Sequence, residues 1–327
     1  MRPLPLLLAA GLLGACSAMD KPAPVAVAVD TTPALPPGEG YLVRPQGRTW
    51  YKVSGGGNAT PAIIVHGGPG FPSYYVKAYE RLADERTVVR YDQIGGGKSD
   101  AVRDTTLWTY DQFIDELDEL RAKLGYDKVH LIGMSWGAML TYAYYLKHPE
   151  HVQSLTQAGT VLDVPAMQAH ARALLRTLPD SVQRVIVRRE KERNYDAPDY
   201  QHAMEVFYGK YVWLRPDPVN LDSTMTQANM SVYNYMQGPS EFTITGTFKR
   251  WDATPTLKDV KVPVLYTVGE FDEVGPDLVR HYAKLTPGAR FALIPNSAHV
   301  STWDNPDSTV SATRAFLRDV DASSGKR

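Results

Sequence analysis

The sequence predicts an α/β protein with a mostly parallel, doubly wound sheet and an inserted helical cap. From about residue 41, short apolar runs alternate with helical periodicity, the pattern of strands joined by crossover helices. Residues 163–251 instead carry helical patterns with no convincing buried strand between them. An apolar fraction of 43% in 327 residues is sufficient for a sizeable core. We therefore predict a core formed by 39–162 and 252–327, with the cap at 163–251.

The strands of this core are predicted where short apolar or β-branched runs are bounded by turn residues. They are expected at 49–53, 62–65, 87–91, 128–133, 152–159, 262–269 and 291–295. In 110–125 apolar residues recur at helical spacing, and a helix at 138–148 is stopped by Pro149. Further helices are predicted at 164–178, 181–194, 199–211, 275–285 and 306–320, and the charge run at 188–193 is predicted to be a solvated helix face.

The N-terminus has the pattern of a bacterial lipoprotein signal peptide over residues 1–16. One basic residue precedes an apolar stretch too short to span a bilayer, and small residues follow. Leu13-Gly14-Ala15-Cys16 matches a lipobox, in which Cys16 is lipidated; the alternative is an ordinary signal peptide with a coincidental cysteine. The Pro- and Ala-rich residues 17–38 are predicted to be a tether. We expect a protein exported across the inner membrane and lipid-anchored in the cell envelope.

Charge and cysteine content exclude some functions and agree with this location. The formal net charge is −1, so the chain lacks the basic character of a nucleic-acid-binding protein. Cys16 is the only cysteine. A domain without a thiol cannot form disulfides or be misoxidised in an oxidising compartment.

The strongest catalytic motif is Gly133-Met134-Ser135-Trp136-Gly137, between a predicted strand and a predicted helix. The flanking glycines permit the strained turn that raises a nucleophilic serine above a sheet. The N-terminus of the following helix favours developing negative charge. We predict that Ser135 is the nucleophile.

A nucleophilic serine needs a base and an acid that orients the base. His299 follows the last predicted strand, and Asp272 follows the strand at 262–269. The chain order Ser, Asp, His is that of an α/β-hydrolase. His130 lies inside a predicted strand and is interpreted as a core residue.

Two other motifs are rejected as cofactor sites. His148 and His151 form an H-x-x-H, but Pro149 interrupts the helix that would align them and no third ligand is nearby. Residues 97–99 resemble the end of a phosphate-binding loop, but Asp92 occupies the position of its first glycine. We expect no metal and no cofactor.

The glycine-rich stretch 66–70 follows a predicted strand. Glycines there let the backbone approach a substrate, and their N–H groups can stabilise an oxyanion. The second donor is expected to be the N–H of Trp136, the residue after the nucleophile.

Together these motifs resemble the proline iminopeptidase (prolyl aminopeptidase) family of α/β-hydrolases. The likeness rests on three groups of residues: His66-Gly67-Gly68-Pro69-Gly70; Asp92-Gln93 with Gly95, Gly97 and Ser99; and Gly133-x-Ser135-Trp136-Gly137. Residues 235–252 and 269–274 resemble the members that partner the archaeal tricorn protease. The resemblance covers about residues 41–320 and departs at Ala138, where relatives commonly have a glycine.

The resemblance implies a role for each matching residue. The triad maps onto Ser135, Asp272 and His299, and the oxyanion donors map onto Gly68 and Trp136. Two glutamates that bind the free N-terminus of the substrate map onto Glu241 and Glu273. Carboxylates suit this role because an N-terminal proline is a secondary ammonium with two N–H donors.

These expectations combine into a serine aminopeptidase that removes N-terminal proline, or another small apolar residue, from short peptides. Two alternatives use the same triad: an amino-acid amide hydrolase of the prolinamide type, and an esterase or lactonase that needs no free amine. A third alternative is a non-catalytic surface lipoprotein that uses the scaffold for binding. The expected partners are short peptides or amino-acid amides with a free N-terminus, with no nucleic acid and no membrane contact except through the anchor.

Overall fold

An eight-stranded sheet forms the centre of the computed structural model, which describes residues 36–324. The strand order is β1-β2-β4-β3-β5-β6-β7-β8; β1 and β2 are antiparallel to their neighbours, and the other strands are parallel. The strands are β1 (Gly38–Arg44), β2 (Gly47–Ser54), β3 (Ala62–Val65), β4 (Val88–Tyr91), β5 (Val129–Met134), β6 (Val152–Ala158), β7 (Val264–Gly269) and β8 (Arg290–Ile294).

The central strands are short and apolar because helices cover both faces of the sheet. Every residue of β3, β4, β5 and β7 is buried. The helices are α1 (Tyr110–Lys123), α2 (Trp136–Lys147), α3 (Val164–Leu175), α4 (Asp180–Glu192), α5 (Pro198–Tyr211), α6 (Pro218–Thr226), α7 (Met230–Met236), α8 (Pro276–Leu285), α9 (Ser301–Asp304) and α10 (Pro306–Ser324). Short 3-10 helices lie at Ser73–Asp84, Thr105–Leu107, Pro149–His151 and Thr254–Asp259.

Helices α3–α7 form an insertion between β6 and β7. Its two ends meet where Asp163 forms an isolated antiparallel bridge with Asp252. The N–H of Val164 donates to the Trp251 carbonyl at 3.0 Å, and the N–H of Ala253 donates to the Leu162 carbonyl at 2.8 Å. The insertion therefore leaves and rejoins the core at one place.

Several elements, among them β1, α6, α7 and α9, were not anticipated from the sequence. Strand β1 mixes polar and apolar residues, and its Val43 is 74% exposed, because it is an edge strand held by antiparallel pairing with β2. Helices α6 and α7 lie where no helix was predicted. Thr224 is the one buried residue of α6, so this helix has almost no apolar periodicity to recognise.

Two features of the sequence are explained by structural contacts rather than by catalysis. His130 is fully buried, with Nδ1 hydrogen-bonded to Ser154 and Nε2 to Asp321. In the charge run of α4, Arg188 and Arg189 both pair with Asp199 at the start of α5. These contacts are structural.

The predicted signal peptide, Cys16 and residues 17–35 of the predicted tether lie outside the described residues. Within 36–324 no helix is both long and apolar enough to cross a membrane.

Candidate active site

Ser135 occupies the sharp turn between β5 and α2. Its backbone has φ 55° and ψ −123°, a conformation that costs a non-glycine residue energy and marks functional turns. A Cβ at Gly133 would come within 2.5 Å of the Gly137 carbonyl, and a Cβ at Gly137 would collide with the Val65 carbonyl. Both flanking glycines are required because the turn packs directly on its neighbours.

The glycine loop after β3 lies against this turn. A Cβ at Gly67 would be 2.6 Å from the Ser135 Cβ, so the two segments are in immediate contact. Gly68 has φ +49°, in the left-handed region that favours glycine, and it lines the same cavity as Ser135. Trp136 is the first residue of α2, where backbone N–H groups lack partners within the helix. Gly68 and Trp136 both belong to segments that adjoin Ser135, and they stay candidates for the oxyanion donors.

His299 and Asp272 form a buried pair at the carboxyl ends of β7 and β8. His299 Nδ1 lies 2.8 Å from Asp272 Oδ1, which also accepts the N–H of Val274 at 2.9 Å. The Asp272 side chain is fully shielded from solvent. Among the hydrogen bonds of residues 36–324 none joins Ser135 to His299. Catalytic hydrogen bonds are often long before substrate binds, so this geometry does not exclude the pair.

The electrostatics of this pair favour a basic imidazole. Burial lowers the pKa of His299, but the charge of Asp272 and its hydrogen bond raise it, and the net change is upward from 6.5. Because Asp272 accepts from Nδ1, the Nε2 atom is left as the proton acceptor. The pair can accept a proton from a hydroxyl near neutral pH.

Ser135 and His299 face one cavity of about 160 Å³ between the sheet edge and the insertion. Aromatic side chains form much of its wall, including Phe71, Tyr208 and Trp303. Phe71 packs edge-on against Tyr233 with ring centroids 5.3 Å apart. A mostly apolar cavity with some polar groups suits a small, mostly apolar substrate.

The carboxylates of Glu241 and Glu273 occupy different positions in this site. Glu241 lines the cavity and accepts hydrogen bonds from Tyr233 Oη at 2.5 Å and from Gln237 Nε2 at 2.6 Å. Glu273 is 1% exposed and is not among the lining residues; its Oε2 has no partner within residues 36–324. Burial, followed by the charges of Glu241 and Asp272, raises the pKa of Glu273 well above 4.5. Two carboxyl groups are therefore concentrated beside the triad residues, and the neutral form of Glu273 is favoured.

Comparison with known proteins identifies the family. A family model described as alpha/beta hydrolase fold matches residues 60–306. The chain is 37% identical over 291 residues to the proline iminopeptidase of Heyndrickxia coagulans, covering 86% of this chain and 99% of that protein. The chain belongs to the proline iminopeptidase family of α/β-hydrolases. It is accordingly a serine hydrolase of the proline iminopeptidase type.

Other members of the family give the same result. Identity with the proline iminopeptidase of Saccharolobus solfataricus is 34% over 276 residues, which is 83% of this chain and 88% of that one. The crystal structure of the Mycobacterium smegmatis proline iminopeptidase superposes with a TM-score of 0.81 at 30% identity. That match covers 88% of this chain and all of the other. The likeness to tricorn-interacting members stays a prediction.

Sequence reasoning assigned no role to Gln93, which links the two candidate oxyanion segments. Its Nε2 donates to the His66 carbonyl at 2.8 Å, and its Oε1 accepts the indole N–H of Trp136 at 2.8 Å. Its backbone N–H donates to His66 Nε2 at 3.0 Å, so that imidazole carries its proton on Nδ1, facing the Gly67 carbonyl. The signal available in the sequence was a polar pair directly after a buried strand, Asp92-Gln93.

Asp304 is a second buried group that the sequence did not indicate. Its Oδ1 accepts the N–H groups of Leu214 at 2.8 Å and Arg215 at 2.7 Å, and its Oδ2 accepts the N–H of Ala298 at 2.8 Å. The carboxylate joins the end of the α5 segment to the loop of His299. Nothing local in the sequence distinguishes it from a helix-end aspartate.

Within residues 36–324 no group of three or more His, Cys, Asp or Glu side chains is arranged to hold a metal ion.

Proposed function

We propose that this protein is a serine aminopeptidase that releases N-terminal proline, or another small apolar residue, from short peptides. The observation that carries this proposal is the convergence of Ser135, His299 and Glu241 on one cavity. A nucleophile, a base and a carboxylate that can bind an amine therefore line the same cavity. Family membership supports the same reaction class.

In the proposed reaction the Ser135 hydroxyl attacks the first carbonyl carbon of the substrate. His299 Nε2 takes the hydroxyl proton, and Asp272 stabilises the imidazolium through the 2.8 Å hydrogen bond. The N–H groups of Gly68 and Trp136 stabilise the oxyanion. The imidazolium then protonates the departing amine, and a water molecule hydrolyses the acyl-enzyme through the same base.

The proposed specificity comes from a charge interaction with the substrate amine. An N-terminal proline carries two N–H donors and a positive charge, and Glu241 and Glu273 provide carboxyl oxygens that can accept these donors. The buried, unpartnered Oε2 of Glu273 supports this role because an ammonium would supply the missing donor. With the amine held there, only the first peptide bond reaches Ser135.

The experiment compares prolyl-anilide with N-acetylprolyl-anilide on the wild type, Glu241→Gln and Glu273→Gln. We expect kcat/KM for the free amine to fall about 10-fold to 100-fold in each variant, since hydrogen bonds to charged groups contribute about 1.5–3 kcal/mol. Asp277→Asn is the matched control, because Asp277 is an exposed acidic residue just after the same loop. Equal turnover of the two substrates by the wild type would instead identify an esterase- or lactonase-type hydrolase without an amine requirement.

A second measurement tests the nucleophile directly. A fluorophosphonate probe should label the wild type and fail to label Ser135→Ala. An unreactive serine in folded protein would favour the binding-only alternative. For location, we propose the cell envelope; detection of a fatty acid on Cys16 by mass spectrometry would support the anchor.

A further inference from the structure

The described part of the chain gives the cavity no lysine or arginine to receive a carboxylate. None of the 19 residues that line it is Lys or Arg, and its one acidic side chain is Glu241. Asp272 adds negative charge nearby, since its charge acts together with that of Glu241 to raise the pKa of His299. The site is therefore suited to the cationic end of a substrate and has nothing to pair with an anionic end.

Cations on the surrounding elements are held by other groups. Arg215 donates to the carbonyls of Asn296 and Asp304, and Lys210 donates to Thr177. Moving either into the cavity would break these contacts.

The outer part of the cavity is apolar and accessible. Met225 at the end of α6 is 47% exposed, and Met230 at the start of α7 is 43% exposed; both line the cavity. Methionine side chains are flexible and polarizable, and they adapt to apolar groups of different shapes. An apolar leaving group that contacts this wall binds more favourably. A charged leaving group must be desolvated there, and this weakens its binding.

We infer that the site selects substrates whose leaving group carries no negative charge next to the scissile bond. Preferred substrates are then amides, esters and C-terminally capped or longer peptides, and free dipeptides are disfavoured. In a free dipeptide the carboxylate lies one residue, about 3.5 Å of chain, beyond the scissile bond. There it stays within the influence of Glu241 and Asp272, in surroundings where like charges interact more strongly than in water. This inference rests on the proposed function, because it assumes that Ser135 cleaves the bond after a clamped amine.

The test uses three substrates of the intact protein: prolyl-phenylalanine, prolyl-phenylalaninamide and prolyl-anilide. We expect kcat/KM for the dipeptide amide to exceed that for the free dipeptide by at least about tenfold, from like-charge repulsion in a low-dielectric site. Because the two dipeptides share every side chain, the difference isolates the terminal charge. Equal kcat/KM for the two dipeptides, with prolyl-anilide cleaved normally, would overturn this inference alone. Failure to cleave any of the three would overturn the proposed function.

A charge-introducing variant makes the test specific to the cavity wall. Met225→Arg places a cation at an exposed lining position and should reduce the preference for the amide several-fold by favouring the free dipeptide. Val219→Arg is the matched control, because Val219 lies on the same helix, is 75% exposed and is not a lining residue. Circular dichroism and the melting temperature report that each variant is folded. The ratio to compare is kcat/KM for the dipeptide amide over kcat/KM for the free dipeptide. If this ratio is unchanged in both Met225→Arg and Val219→Arg, charge at this wall does not affect the choice of leaving group and the inference is wrong.

Discussion

The indole N–H of Trp136 donates a 2.8 Å hydrogen bond to the side-chain oxygen of Gln93. Both residues are buried, and the amide nitrogen of Gln93 is bonded to the carbonyl of His66. One side chain therefore connects the segment after the proposed nucleophile with the glycine loop that contains Gly68. The spacing of the two proposed oxyanion donors depends on this connection.

Replacing Gln93 by Leu removes both side-chain hydrogen bonds while keeping a similar volume. We expect kcat for prolyl-anilide to fall about 10-fold to 100-fold with a much smaller change in KM, because misplaced donors affect the transition state more than the bound substrate. Steady-state kinetics measure this split. Trp136→Phe removes the indole bond alone and should give a smaller loss in the same direction; a Gln93→Leu enzyme with unchanged kcat would contradict the role.

Gly159, directly after β6, controls the position of the proposed base. Its φ is +49°, and a Cβ there would lie 2.9 Å from His299 Nδ1 and 3.0 Å from Asp272 Oδ2. Gly159→Ala should therefore displace the imidazole and reduce kcat/KM about 100-fold, the scale expected for a 1 Å misplacement. Gly209→Ala is the control, since Gly209 lies in α5 and a Cβ added there would meet no other atom within 4 Å. That substitution should keep activity and slightly raise the melting temperature.

Asp304 holds the loop of His299 against the end of the α5 segment. In Asp304→Asn an amide N–H₂ replaces one of the two carboxylate oxygens. A backbone N–H group that donated to this oxygen then faces a donor and loses its hydrogen bond. We expect a loss of about 1–3 kcal/mol in unfolding free energy. A lower kcat should persist at temperatures where the variant remains folded, because Ala298 adjoins the base. Denaturant unfolding and kinetics measure the two effects, and Asp307→Asn, at an exposed surface pair with Arg81, should change neither. Full activity of folded Asp304→Asn would contradict the positioning role.

The pH dependence should report the basicity of His299. An ester without an amine, such as p-nitrophenyl acetate, makes the rate depend on the neutral imidazole alone. Because the pKa of His299 is raised from 6.5, kcat/KM for this ester should increase with pH through a midpoint above 6.5. In Asp272→Asn the midpoint should move down, since the charge that raises this pKa is gone, and the maximal rate should fall about 10⁴-fold. An unchanged midpoint would show that Asp272 does not set the basicity of His299.

Local sequence patterns predicted most of the strands and helices of the core. The apolar runs that became β3–β8, the helix after Ser135 and the chain order Ser, Asp, His depend on neighbours in the chain, so periodicity and turn residues predict them. The edge strand β1 and the helix α6 escaped because tertiary contacts, rather than an apolar period, stabilise them, and the seven-residue α7 is too short to show a clear period. Local patterns are weakest where an element is held mainly by its surroundings.

The sequence by itself determined the fold class and the residue types available for catalysis. Only the tertiary structure decided that Gln93 bridges His66 and Trp136, that Gly159 lies against His299, and that Glu273 is buried behind a cavity lined by Glu241. These relationships join residues far apart in the chain. They arise because parallel strands bring their carboxyl ends to one edge of the sheet, where distant loops must pack together.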